Sequence, residues 1–97
     1  MKTTIEEIRN LFEVKLLLTF GNESQSANDI DVLVISDDFE GISTLKRKEL
    51  IKRIDARLDP ICFTVQQFKH FKDSNCSLYR NIINSNKIFY ADQTTFL

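Results

Sequence analysis

The sequence holds no tryptophan, one proline, two glycines, one histidine and two cysteines among its 97 residues. With so little glycine and proline there is no low-complexity tract, interdomain linker or internal repeat, and residues 1–97 are expected to form a single domain with one hydrophobic core. Cys62 and Cys76 lie 14 positions apart without a CxxC pair, and His70 is the lone histidine. A tetrahedral zinc site therefore lacks ligands, and both cysteines are expected to be reduced thiols. Neither charge dominates: 13 Lys and Arg stand against 14 Asp and Glu, which excludes bulk attraction to nucleic acid or to a membrane surface. No apolar run approaches transmembrane length, and the segment after Met1-Lys2-Thr3-Thr4 is charged rather than signal-like. The expected compartment is the cytosol.

What is present is a 42% hydrophobic content arranged in short periodic blocks. Ile5, Ile8, Leu11 and Phe12 recur at helical spacing and predict a first helix over 4–12, with Thr3 or Thr4 as its N-cap. The run from Val14 to Phe20, stopped by Gly21, predicts a buried strand. A polar stretch from Asn22 to Asn28 reads as an exposed loop, and residues 29–35 read as a second strand, apolar on both faces after its first three residues. Leu45, Leu50, Ile51, Ile54 and Leu58 predict a second helix. A third strand is expected over 59–64, because a proline near a strand start removes only one early ladder donor. Two short helices over 65–71 and 77–83 and an edge strand over 87–90 complete the prediction. The expected fold class is α/β (α+β), a small mixed sheet in a two-layer domain.

Asp29 and Asp31 open the second strand two residues apart, so both carboxylates project from one face. Two like charges about 4 Å apart repel by roughly 1 kcal/mol in water and about 4 kcal/mol at an effective dielectric of 20. A shared cation relieves that repulsion. Oxygen ligands of this kind suit Mg²⁺, whose shell is completed by water and substrate phosphates, which makes a nucleoside triphosphate the natural third party. Asp59, at the head of the next strand, is the expected third carboxylate. Read alone, an Asp-x-Asp tripeptide is more often surface acidity. The basic residues between Lys46 and Arg53 read first as a solvated helix face, and Phe68, Phe71 and Tyr79 as core.

The stretch Leu17-Leu18-Thr19-Phe20-Gly21-Asn22 followed by Asp29-Ile30-Asp31-Val32-Leu33-Val34 resembles the signature of the minimal nucleotidyltransferase (MNT) family, relatives of DNA polymerase β. That signature is an apolar strand ending in Gly-Ser, a loop, then Asp-x-Asp. Ser36-Asp37-Asp38-Phe39-Glu40-Gly41 with Arg47, then Asp59 to Phe68, then Ser77 to Ile83 before Lys87-Ile88-Phe89-Tyr90, extend the resemblance over roughly residues 10 to 91. The resemblance implies a nucleotidyltransferase fold and Mg²⁺-dependent transfer of a nucleotidyl group, typically AMP from ATP, to a hydroxyl on a protein or RNA partner. Asp29, Asp31 and Asp59 would be the catalytic and metal-binding residues, and Gly21, Asn22, Ser24 and Arg47 the nucleotide contacts. It also implies a setting in which such a chain is the antitoxin of a helical HEPN toxin. Two departures stand out: Asn22 replaces the signature serine, and the loop from Gly21 to Asp29 is short and carries no Arg or Lys. They leave open a second function, a binding module of the same fold that regulates a partner by contact.

Overall fold

Leu16 and Leu18 point to one side of their strand and Leu17 to the other, and all three are completely or almost completely buried, so both faces of the sheet must be covered. The computed structural model, which describes residues 2–21 and 30–92, covers them. Its elements are α1 (Lys2–Leu11), β1 (Leu16–Phe20), β2 (Ile30–Ile35), a 3₁₀ turn (Asp37–Phe39), α2 (Thr44–Ile54), β3 (Leu58–Phe63), α3 (Val65–Ser74), α4 (Ser77–Asn84) and β4 (Asn86–Ala91).

The four strands are ordered β3-β2-β1-β4. β1 runs antiparallel to β2 and β4, whereas β2 and β3 are parallel, with α2 as the crossover that parallel pairing requires. On one face Leu17, Val32, Val34, Leu58 and Cys62 pack with Ile8 of α1 and Ile51 of α2. On the other, Leu16, Leu18, Leu33 and Ile35 pack with Phe68 of α3 and with Tyr79 and Ile82 of α4. Helices thus lie on both faces, where the sequence pattern suggested two layers. The cause is visible in β2, whose last four residues are all buried regardless of the side they face.

Most predicted elements are present with shifted ends. α1 begins at Lys2, so Thr4 is not a cap but a buried helix residue whose hydroxyl donates to Asp55 at 3.0 Å. Leu58 belongs to β3 rather than to the end of α2. The 3₁₀ turn was not foreseen. It forms because Ser36 caps it through Asp38 N–H, while Asp37 accepts from Val65 N–H at 3.0 Å and Asp38 from Glu13 N–H at 2.7 Å. α3 starts with a full capping box between Thr64 and Gln67. Among the described residues no helix is long and apolar enough to cross a membrane.

Two polar fastenings hold these layers. Arg47, 5% exposed, donates from Nε to the Ile42 carbonyl at 2.8 Å and from Nη1 to the Cys62 carbonyl at 3.2 Å and Gln67 Oε1 at 2.6 Å. One guanidinium thereby ties the turn before α2 to β3 and to the first turn of α3. At the other end of α2, Asp55 accepts from Arg57 Nε and Nη2 at 2.9 and 2.6 Å as well as from Thr4.

Arg47→Met is expected to destabilise the fold by about 2–4 kcal/mol, because a network of buried acceptors loses its donors; urea midpoints would show it. A pH effect follows from the second fastening. Hydrogen bonding to Arg57 holds the Asp55 carboxyl well below the usual carboxylate range, with burial opposing. A depressed native pKa stabilises above the unfolded value of about 3.9 and ceases to do so as pH falls through the native value. Melting temperature should therefore drop below about pH 4, with a shallower acid limb in Asp55→Asn.

Candidate functional site

The parallel register decides which acidic residues meet. Asp31 is paired with Asp59, and each sits one residue inside its strand. Both are in phase with the residues that face α3 and α4, since Leu33 and Ile35 follow Asp31 at intervals of two, and Ile61 and Phe63 follow Asp59. The two carboxylates therefore leave neighbouring strands, roughly 4.8 Å apart, from the same face and at the same end of the sheet. Asp31 is partly buried, while the Asp59 side chain is half exposed at the edge strand.

Gly21 closes this end from the β1 side. Its φ of +89° lies in the region that favours glycine, and a Cβ built there would stand 3.1 Å from Asp31 Oδ2. Its backbone is held by Ser85, whose carbonyl accepts from Gly21 N–H and whose hydroxyl donates to the Gly21 carbonyl, both at 3.3 Å. Backbone thus passes against a carboxylate where a side chain would crowd it.

Of the residues expected at the site, Asp31, Asp59 and Gly21 come together. Asp29, Asn22 and Ser24 lie outside the described residues. Arg47 corrects the sequence reading. Its guanidinium binds the carbonyl of Cys62, three residues along β3 from Asp59 and so roughly 10 Å towards the opposite end of the sheet. Buried and committed to three acceptors, it fastens the fold instead of facing the acidic end. The residue that reading passed over is Lys48, whose Nζ lies 3.1 Å from Asp59 Oδ1. Lys52, one helical turn on, donates from Nζ to the Leu58 carbonyl at 3.1 Å. Their i, i+4 spacing, just ahead of the strand that carries Asp59, was a readable signal.

The remaining candidates are structural. Phe68, Phe71 and Tyr79 form an aromatic cluster, with Phe71 and Tyr79 edge to face at 5.7 Å. His70 is exposed on α3. Burial pushes the Cys62 thiol up to about 12, leaving it inert, whereas backbone amides at the start of α4, that of Tyr79 foremost, lower that of Cys76.

The oxygen donors of Asp31 and Asp59 and the open backbone at Gly21 fit a hard divalent cation with bound phosphate. Gly21→Ala and Gly41→Ala should each cost about 1 kcal/mol, because both glycines have positive φ, but only Gly21 abuts Asp31. Only Gly21→Ala should shift the Asp31 carboxyl ¹³C resonance.

No family model matches the sequence, and no curated protein matches it. Solved structures do. A putative nucleotidyltransferase from Sulfolobus solfataricus superposes with a TM-score of 0.61 at 19% identity, over 99% of this chain and 81% of that one. A chain of a toxin–antitoxin crystallised with AMP-PNP gives 0.61 at 17% identity, over 97% of this chain and 76% of that one. A chain from the complex of tri-AMPylated Shewanella oneidensis HEPN toxin with MNT antitoxin gives 0.56 at 16%, over 93% and 71%. With four helices on a four-stranded mixed sheet among the described residues, the chain has the nucleotidyltransferase fold.

Proposed function

We propose that this chain transfers a nucleotidyl group, AMP from ATP, to a hydroxyl on a protein or RNA partner, and that it serves as the antitoxin of a HEPN toxin. The observation that carries the reading is the in-register pair Asp31 and Asp59 beside the side-chain-free approach at Gly21. The AMP-PNP in one similar complex and the AMPylated toxin in another support the nucleotide and the partner.

In the reaction the acceptor oxygen forms a bond to the α-phosphorus, the bond to the bridging oxygen breaks, and pyrophosphate leaves with those electrons. Asp31 and Asp59, with Asp29, would hold Mg²⁺, which supplies charge stabilisation for the triphosphate. Asp59, the more exposed carboxylate, would accept the proton of the incoming hydroxyl. Gly21 allows the phosphates to approach backbone amides, and the Asn22 amide and Ser24 hydroxyl would supply polar contacts.

Two observations favour a second reading, in which the fold is kept as a binding module that restrains its partner by contact. Asp59 already has a cationic neighbour in Lys48, and Asn22 stands where the signature has serine. Mg²⁺ with ATP at about 100 times its dissociation constant should stabilise the wild type by roughly 2.7 kcal/mol, a rise of order 10 °C, and should leave Asp31→Asn unmoved. Labelled AMP appearing on a co-purified helical partner would establish transfer. No thermal shift in the wild type, with the partner still bound, would favour the binding module.

A further inference from the structure

Lys48 belongs to α2, which packs on the sheet face opposite to the one bearing Asp31 and Asp59, yet its ammonium reaches Asp59 around edge strand β3. Its starting point is well anchored, because the preceding residue is the buried Arg47 and the buried Ile51 follows three residues later. The neighbouring lysines have other partners: Lys46 approaches Glu49 at 3.8 Å, and Lys52, at the same end as Asp59, donates to the Leu58 carbonyl. Lys48 is thus the lysine of α2 whose ammonium meets the Asp59 carboxylate, and at 3.1 Å its contact is shorter than the Lys46 pair.

We infer that Lys48 is the resident counter-ion of the acidic site, occupying Asp59 until a divalent cation displaces it. The inference rests on reading Asp31 and Asp59 as a divalent-cation site. Asp31 and Asp59 repel each other side by side, and an ammonium on Asp59 relieves that repulsion in the metal-free protein. A divalent cation brings twice the charge and can engage both carboxylates, so it wins the competition, at an affinity reduced by the need to expel Lys48. Both side chains of the ion pair are about half exposed, 46% for Lys48 and 50% for Asp59, so exchange needs no rearrangement of the core. Lys48 would thereby set how much divalent cation the site requires, acting as a positioning residue rather than a catalytic one.

Mn²⁺ binding to the full chain, followed by electron paramagnetic resonance titration, separates the possibilities. Lys48→Met should tighten Mn²⁺ three- to tenfold. Lys46→Met removes the same charge from the same helix without touching Asp59 and should change affinity less than twofold. In EDTA, Lys48→Met should melt below wild type, with Mn²⁺ abolishing the difference. If Mn²⁺ binding depends on Asp31 but Lys48→Met binds no tighter than Lys46→Met, the counter-ion role is overturned while the metal site stands. If Mn²⁺ fails to bind, or binds equally well to Asp31→Asn, the metal site itself is wrong and the counter-ion role falls with it.

Discussion

The parallel pairing of β2 with β3 is the constraint on which the rest of this structure depends. It aligns Asp31 with Asp59, and it obliges the chain to cross over through α2 before β3 can form. A slip of one residue in this register would turn every side chain of β3 to the other face, burying Asp59 among Leu17, Val32 and Ile51 and removing Leu58 and Cys62 from that cluster. The apolar pattern of the two strands therefore enforces the placement of the carboxylates. Core packing and site geometry are consequences of the same register.

Arg47 secures that register from the opposite end of the sheet. A buried guanidinium is costly unless its donors are satisfied, and here Ile42, Cys62 and Gln67 accept from it while the Phe39 ring lies 5.6 Å beneath its charge. Nearby, Ser36, Asp37 and Asp38 satisfy amides of the 3₁₀ turn, α3 and the α1–β1 connection. Polar residues with strong local bonds thus gather at one end of the sheet. At the other end lie the carboxylates, Gly21 and Lys48.

Helix and strand periods were legible wherever apolar residues recurred over two turns or more, as in α1, α2 and β1. Ends were less so, because Thr4 and Leu58 owe their states to partners distant in sequence, Asp55 in one case and the core around Ile51 in the other. The 3₁₀ turn escaped notice for a similar reason. Its aspartates are ordinary turn residues until Val65 and Glu13 arrive as donors. Arg47 and Lys48 are adjacent residues of similar charge; the spacing of Lys48 with Lys52 hinted at Asp59, but nothing local marked Arg47 for burial.

The sequence by itself determined the order of elements, the apolar identity of the central strands and the presence of aspartates at two strand starts, since these follow from side-chain period and local backbone preference. Only the tertiary structure decided that Asp31 and Asp59 share a face, that Arg47 serves the fold and that Lys48 serves the acidic end. Those outcomes depend on strand register and on how α2 is rotated against the sheet, and both are settled by packing among residues far apart in the chain.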